Sequence, residues 1–497
     1  MKKNKIVAVA LAIALASVMP GCSFMGMSDS NLLKPPKATG EKAEIQNLIE
    51  STAGVSYSLV YPQSGEYRSA IIMQDIDNDT TDEAIAFYKT AKNASNINVM
   101  FMKKVADKWT NVKTFNNLNS DVDRVYFTDI DNNGSKEIII GWSSYLTGGN
   151  QITMYGFEND SVGETMVNVD TMYTDMSVFD ITNDGIDDLI VLTNQQDETH
   201  STTVTTARLY SSCIDGEFSR VSEIKTNPNI IGYSKIQQGN VDDNVTGLFL
   251  DGITSNVNEQ ITEVLYYSQE RRILVNILDS VQSNGDIENI TKRNTTSVCK
   301  DVDGDGIIEL PSTYVPVVSD NNIVPCTITK WYKIDSKQET IFEACQTVAS
   351  YSDGYYFILP DLWKDNIVAV NDNGARTTSF YQIVDVKSSV EVPTENATEK
   401  PVENTTEKTT LPELTTEKAT EKPTEAKPIL QADTTPLLTI KVFTDKSWAS
   451  ESATKKEEGY VVLKQDSGLV YTCKLGKSIT DLNISTDQVT GGFKLLN

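Results

Sequence analysis

The segment 299–310 combines the residue types that bind a hard cation. Five of its residues can offer oxygen atoms at alternate positions, which we count as one, three, five, seven and nine: Asp301, Asp303, Asp305, Ile307 through its carbonyl group, and Glu309. Gly306, at the sixth position, permits the sharp turn that brings such oxygens together. Calcium prefers carboxylate and carbonyl oxygens, so the segment predicts a calcium-binding loop.

The position of the closing acid excludes an EF-hand. An EF-hand loop places its bidentate glutamate at the twelfth position, which is Ser312 here, whereas this segment places Glu309 at the ninth. The segment therefore belongs to another class of calcium loop.

Three earlier segments repeat the pattern, each between apolar runs that predict β-strands. We number the four segments loop 1 to loop 4 in chain order. The candidate ligands of loop 1 are Asp75, Asp77, Asp79, Thr81 through its carbonyl group, and Glu83. Those of loop 2 are Asp129, Asp131, Asn133, Ser135 and Glu137. Those of loop 3 are Asp180, Asp184, Ile186 through its carbonyl group, and Asp188.

The loops recur at a nearly constant interval. Their first residues are 54 and 51 positions apart, and 121 positions, close to two intervals, separate loop 3 from loop 4. We therefore expect a degenerate copy between them, and residues 239–250 keep the following strand and a few acids but lose the alternating carboxylates. A repeat of about fifty residues with several short strands is typical of β-propeller blades or a similar radial array.

The loops resemble the FG-GAP or VCBS repeat, which occurs in integrin heads and many bacterial surface proteins. The resemblance covers about residues 50–345. It implies a mainly β fold with a β-propeller-like array of blades, in which the first hairpin of a blade binds calcium through positions one, three, five, seven and nine. Two to four structural calcium ions are expected. A plain alternative stays open, because Asp and Asn between strands often form solvated turns.

The four loops match this family unequally. Loop 4 is the best match, and loop 1 is next, with Thr80 in place of the usual glycine. Asn133 weakens the charge of loop 2, and Thr182 leaves loop 3 with fewer carboxylates. The sequence therefore ranks loops 4 and 1 as the strongest calcium candidates.

The N-terminus has the layout of a secretory signal. Three lysines precede an apolar run, and the following cysteine, Cys22, resembles the lipobox of bacterial lipoproteins. Residues 1–21 are predicted to be the signal peptide, and 22–40 the lipidated cysteine and a tether. The predicted location is extracytoplasmic, at the outer face of the cytoplasmic membrane, with the lipid anchor as the membrane contact. The alternative is an ordinary secretory signal with Cys22 free.

Charge and cysteine usage agree with that location. The formal net charge of −26 argues against binding to nucleic acid or to anionic lipid through the protein surface. The five cysteines after Cys22 show neither a disulfide framework nor zinc spacing, so we expect buried thiols. A single pair such as Cys326 with Cys345 is the alternative.

The loop pattern stops near residue 350. We expect a repeat domain over 41–349 and a smaller α+β domain, mostly β, over 350–497. The tract 392–435 is rich in Thr, Glu, Lys and Pro and cannot bury a core, so it predicts a disordered insertion in that domain. The alternative is a linker that makes the last sixty residues a separate domain.

Catalytic motifs are few. The single histidine, His200, lies in a polar run, and the chain has neither a nucleophile elbow nor a Walker loop. Ser297 and Lys300 fit a Ser-x-x-Lys motif and 319–321 fit a second acylase motif, but the Lys-Thr-Gly that should accompany them is missing. We therefore predict that the protein is not an enzyme.

The leading functional hypothesis is a non-catalytic binding or adhesion module for an extracellular protein or glycan. It rests on analogy with the fold. The alternatives are an accessory or catalytic component of extracellular polysaccharide degradation and a purely structural protein of the cell envelope.

Overall fold

The computed structural model describes residues 40–54, 56–144, 149–158, 161–165, 172–196, 203–212, 218–256, 258–283, 287–294, 297–318, 323–385, 430–432, 435–478 and 481–496. The chain forms two compact units. Unit 1 comprises residues 1–128 and 134–165, and unit 2 comprises 129–133 and 166–497. Several sequence predictions concern residues outside the described ranges, namely the signal peptide, Cys22 and its tether up to residue 39, His200, Cys213 and most of the tract 392–435.

Unit 1 contains a helix and two antiparallel sheets. Its elements are α1 Glu41–Ala53, β1 Tyr57–Leu59, β2 Ile71–Gln74, β3 Glu83–Thr90, β4 Asn93–Val105, β5 Lys108–Asn117, β6 Asp121–Thr128, β7 Glu137–Ser143, β8 Asn150–Glu158 and β9 Ser161–Glu164. The first sheet has the order β1–β3–β4–β5, with β2 also paired to β3. In the second, β6, β7 and β8 are consecutive neighbours and β9 pairs with β8.

Strand β3 is buried on both faces because successive side chains of a strand point to opposite sides. Ile85 and Phe87 enter a core that the first sheet shares with the second. Ala86 faces the other way, into a core with Ile45 and Ile49 of α1. Those two isoleucines are four positions apart, the spacing that puts side chains on one face of a helix.

Unit 2 is also built of antiparallel sheets. Its first strands are β10 Met172–Tyr173, β11 Asp175–Phe179, β12 Asp188–Gln196, β13 Thr203–Ser211, β14 Ser219–Lys225, β15 Ile230–Asp242, β16 Val245–Thr254, β17 Gln260–Ser268, β18 Ile273–Val275, β19 Asp279–Val281 and β20 Ile287–Asn289. Strands β11–β14 form one sheet and β15–β18 the next, each in sequence order, while β19 pairs with β20. Four consecutive strands in order are the topology of a propeller blade.

The remaining elements of unit 2 form two further sheets. They are β21 Leu310–Tyr314, β22 Ile328–Asp335, β23 Thr340–Ser350, β24 Tyr355–Ile358, a 3₁₀ turn Asp361–Trp363, β25 Ile367–Asp372, β26 Thr377–Asp385, β27 Leu430–Ala432, β28 Leu438–Thr444, α2 Asp445–Glu457, β29 Val461–Asp466, β30 Leu469–Leu475, α3 Thr486–Gly492 and β31 Phe493–Leu495. One sheet has the order β21–β22–β23–β24–β31, and the other β25–β26–β28–β30–β29, with β27 on β26.

Neighbouring sheets of unit 2 share cores. Leu209 of β13 packs in one cluster with Leu250 of β16. Phe249, on the opposite face of β16, packs with Leu310 of β21. Phe357 of β24 belongs to the largest cluster, which it shares with the last sheet. The sheet β15–β18 and the sheet that begins with β21 therefore each contribute to two successive cores.

One part of the predicted fold class is confirmed: the protein is mainly β and consists of many antiparallel sheets. Each loop lies in a hairpin near the start of its sheet: loop 1 between β2 and β3, loop 2 between β6 and β7, loop 3 between β11 and β12, and loop 4 before β21. Within the described ranges no sheet closes on itself. The propeller thus stays a prediction.

The C-terminal region is joined to the repeat region by a shared sheet. Strand β23 ends at Ser350, where the sequence places a domain boundary, and pairs with β24 beyond it, while β31 from the end of the chain pairs with β24. The described strands on either side of residues 386–429 are neighbours, because β26 pairs with both β27 and β28.

Three smaller features complete the fold. The last helix, α3, is capped by Ser485, whose side chain accepts the amide of Gln488. Cys299, Cys326, Cys345 and Cys473 are free. None of the helices in the described part of the chain has the length and apolar composition of a membrane span.

Candidate calcium loops and a candidate ligand pocket

The loops share an apolar anchor at their second position. The four anchors are all buried: Ile76, Ile130, Ile181 and Val302. In loops 1, 3 and 4 the backbone amide of the anchor donates to the ninth-position carboxylate, at 3.0, 3.0 and 2.6 Å. The ninth-position acids Glu83, Asp188 and Glu309 are therefore turned inward, and each is fully buried.

The first-position aspartate organises the turn of each loop. Both carboxylate oxygens of Asp301 accept backbone amides, from Gly304 at 2.6 Å and Gly306 at 2.9 Å. Asp75 and Asp180 accept two amides each in the same way. A carboxylate oxygen has a second lone pair, so these bonds leave a lone pair for a cation.

The fourth and sixth positions are left-handed in all four loops. Asparagine or glycine occupies the fourth position, with φ between 56° and 89°. The sixth position is glycine in loops 2, 3 and 4, whereas in loop 1 it is Thr80, with φ 72°. A β-branched residue is strained there, so loop 1 keeps the turn without the residue that suits it.

Loop 4 gathers four acids. One carboxylate oxygen from each of them lies within 4.8 Å of the others: Asp301, Asp303, Asp305 and Glu309. Burial raises the pKa of Glu309 to about 7. The nearest positive charge is Lys333 of β22, whose Nζ lies 2.9 Å from Asp303, 2.5 Å from Asp305 and 2.9 Å from Glu309.

Loop 1 has a similar arrangement in unit 1. Asp75, Asp77 and Glu83 each bring one oxygen within 4.8 Å of the others. Lys103 of β4 donates to Asp77 at 2.6 Å, and its Nζ lies 3.5 Å from Asp79. Burial raises the pKa of Glu83, whose Oε1 is buried without a hydrogen-bond partner.

Loop 3 is less complete. Its three acids are not a cluster of the kind found in loops 1 and 4 within the described residues. Burial raises the pKa of Asp188 to about 6, and its Oδ1 atom has no hydrogen-bond partner. The hydroxyl of Thr182 is also buried without one. Asp184 and the Ile186 amide form a local turn, with the amide donating at 2.9 Å.

The boundary between the two units falls inside loop 2. On the unit 2 side, the amide of Asn133 donates to Asp129 at 2.9 Å and to Asp131 at 3.2 Å. On the unit 1 side, Ser135 is half-buried and Glu137 is buried at the start of β7.

The donor sets of loops 1 and 4 fit calcium. Oxygens that share one calcium ion at 2.3–2.6 Å lie within about 5 Å of each other, and the carboxylates meet that condition. Buried carboxylate oxygens such as Glu83 Oε1, which accept no hydrogen bond, point to a cation rather than to a plain solvated turn. Calcium would be held there by the acids named above and would neutralise them.

The degenerate copy at 239–250 is a tight hairpin. Asp242 pairs with Val245 across a two-residue turn, so this segment lacks a ligand loop. Asn240 instead supports loop 4, because its carbonyl accepts the amide of Ile308 at 3.0 Å and its side chain donates to the Gly306 carbonyl at 3.0 Å.

A pocket of about 170 Å³ lies beside loop 4. Lys300, directly before the loop, lines it together with Ser297, Trp331, Tyr351 and Tyr356. The Lys300 Nζ lies 4.2 Å from the centre of the Tyr356 ring. No acidic side chain in the described ranges forms an ion pair with Lys300, and burial lowers its pKa. The pocket therefore offers a cation, hydroxyls and aromatic faces.

A hydrogen bond joins loop 4 to this pocket. The hydroxyl of Tyr356 donates to the carbonyl of Val302 at 3.0 Å. The amide of Val302 in turn donates to Glu309. Val302 therefore contacts both the closing acid of loop 4 and an aromatic residue of the pocket.

A second pocket, of about 370 Å³, is lined by four asparagines among other residues and contains two acids, Glu259 and Glu288. Burial opposes the ionisation of Glu259, but hydrogen bonds from Lys292 and Asn256 outweigh it, so its pKa lies below the usual range. Glu259 is thus poorly suited to act as a proton donor, which the general acid of a glycoside hydrolase must be.

Comparison with known proteins leaves the family open. No family model matches the chain, and no curated protein matches it. A crystal structure of a protein from Lactobacillus plantarum is similar over 63% of this chain and 92% of that one, with 10% sequence identity and a TM-score of 0.23. A similarity at that level supports no conclusion about fold or function.

Proposed function

We propose that this protein is a lipid-anchored, extracytoplasmic binding module whose sheets are stabilised by calcium and which binds a carboxylate-bearing glycan without catalysis. The pocket beside loop 4 carries the proposal, because its half-buried Lys300 has aromatic neighbours and no ion-pair partner among the described residues. At about 170 Å³ it is smaller than a typical small-molecule site, so it suits one group of a larger ligand.

Calcium has a structural role in this proposal. The resemblance to FG-GAP repeats and the clustered oxygens of loops 1 and 4 both support it. Calcium would neutralise repulsion between the acids of a loop and hold the hairpin that leads into the next strand. It would also fix the Val302 carbonyl, to which the pocket residue Tyr356 is bonded.

Calcium should stabilise the metal-free protein. An ion present at a hundred times its dissociation constant adds about 2.7 kcal/mol, which corresponds to a rise of about 5–10 °C in the melting temperature of a unit of the size of unit 1 and to a smaller rise for the larger unit 2. Differential scanning calorimetry with calcium chloride, and with a chelator, measures the change. Magnesium should give a smaller rise because it demands octahedral geometry. Equal melting temperatures with calcium and chelator would contradict the calcium sites.

Binding of an acidic glycan should depend on Lys300. The variant Lys300→Met is expected to bind at least about tenfold more weakly, because it removes the charge that pairs with the carboxylate. Arrays of acidic glycans, neutral glycans and extracellular proteins, followed by titration of any bound glycan, make the measurement. Lys292→Met is the matched control, since Lys292 lines the other pocket. Glycan binding unchanged in K300M would reject this pocket, and binding to proteins alone would reject a glycan ligand.

A further inference from the structure

The pairing of strands places a lysine opposite the ninth-position acid in two of the loops. The register of β3 with β4, extended by one residue, sets Lys103 opposite Glu83. The register of β21 with β22, extended by one residue, sets Lys333 beside Glu309. The two lysines thus occupy the same place relative to their loops, although one lies in unit 1 and the other in unit 2.

The other two loops have small residues at the equivalent place. The register of β7 with β8, extended by one residue, sets Gly156 opposite Glu137, and a Cβ atom at Gly156 would be 3.7 Å from Oε1 of Glu137. The same extension of the register of β12 with β13 sets Ser211 opposite Asp188. Loops 2 and 3 therefore carry no lysine at this position.

Both lysines direct their ammonium groups into the acid clusters. Lys333 Nζ lies within 2.9 Å of carboxylate oxygens from Asp303, Asp305 and Glu309. Its side chain is only 10% exposed, and that of Lys103 15%. The Lys333 ammonium group therefore contacts the same three carboxylates that a bound metal ion would contact.

We propose that Lys103 and Lys333 are built-in counter-cations, which hold loops 1 and 4 together without metal and must withdraw before calcium can bind. The inference rests on the proposed calcium sites. A divalent ion and an ammonium group cannot share one cluster, because like charges a few ångströms apart repel strongly in a partly buried site. The loops thus divide into two that are gated by a lysine and two that are open. The two with the best ligand sequences are the gated ones.

The test is to remove each lysine and titrate the full-length protein with calcium chloride. After treatment with a chelator, Lys333→Met and Lys103→Met should each show one site whose calcium dissociation constant is at least about tenfold lower than in the wild type, by isothermal titration calorimetry. Each variant should also melt at a lower temperature without metal, and should gain more in melting temperature from calcium than the wild type gains.

Two neighbouring lysines provide matched controls. Lys330 lies on the same strand as Lys333 and pairs with Glu343 and Asp365, away from the loop. Lys104 follows Lys103 and pairs with Glu41. Lys330→Met and Lys104→Met remove the same charge and should leave the calcium dissociation constants unchanged.

Each outcome separates the inference from the calcium proposal. If the wild type binds calcium and neither K333M nor K103M binds it more tightly, the inference is wrong and the calcium sites stand. Weaker binding by the variants would also overturn it. If the variants bind calcium and the wild type does not, the inference about the lysines is supported. In that case the wild type would show no rise in melting temperature with calcium.

A variant that does not fold without metal is informative too. If K333M is unfolded in chelator, recovery of its far-ultraviolet circular dichroism on addition of calcium chloride supports the inference. Failure of calcium to restore the signal counts against it.

Discussion

Replacing Arg293 with methionine should destabilise unit 2 by about 3–5 kcal/mol. Arg293 and Asp251 form an ion pair at 2.7 Å, and both side chains are fully buried. The guanidinium also donates to Thr262 Oγ1 at 3.0 Å and to the Ser297 carbonyl at 2.7 Å. Its removal leaves the Asp251 carboxylate buried without a countercharge. Urea denaturation, followed by the fluorescence of the wild type and of the variant, measures the loss.

Two further variants give this prediction its controls. Arg220→Met removes an exposed arginine that pairs with Glu223 on the surface, where the cost should stay below about 1 kcal/mol. The double variant R293M/D251L removes both buried charges and should recover part of the stability, because no charge is then left unpaired. A loss in R293M no greater than that in R220M would show that the buried pair has no such role.

Neutralising Glu263 should change the pH dependence of stability. Glu263 is fully buried on β17, its Oε2 atom has no hydrogen-bond partner, and burial together with the nearby charge of Asp279 raises its pKa to about 8. The folded protein therefore binds this proton more tightly than the unfolded chain does. Stability from this group is complete below about pH 4.5 and is lost progressively as the pH rises to about 8.

The variant Glu263→Gln keeps the acceptor for the Asn227 amide and the Asn276 side chain but cannot ionise. Relative to the wild type it should gain about 3–5 kcal/mol between pH 4.5 and pH 8. Unfolding free energies from urea titrations at several pH values measure the difference. Glu259→Gln is the control and should show the opposite trend, because the pKa of Glu259 is lowered. A parallel pH profile for E263Q and the wild type would contradict the expectation.

The loops could be predicted from the sequence because their information is local. Alternating acids, a left-handed sixth position and an apolar anchor all fall within nine residues, and the structure brings the acids of loops 1 and 4 together. The mainly β class follows from the same alternation of apolar runs and turns. Neither the prediction of the loops nor that of the mainly β class required knowledge of which strands are neighbours.

The lysines and the buried ion pair could not be predicted, because they depend on pairing between distant parts of the chain. Lys333 reaches loop 4 only through the register of β22 with β21. Arg293 meets Asp251 across 42 positions of sequence. The sequence ranks loop 4 highest for calcium by counting acids, and it gives no sign that a competing positive charge lies among them.

The pairing of β31 with β24 has a consequence for biosynthesis. The ribosome synthesises Tyr355 and Phe357 of β24 well before Phe493 of β31. One edge of β24 therefore has unpaired backbone N–H and C=O groups until β31 has left the ribosome. Long-range closure of this kind is slow compared with hairpin formation. During that interval the unpaired edge of β24 can pair with a second nascent molecule, so we expect misassembly during folding to begin at this edge.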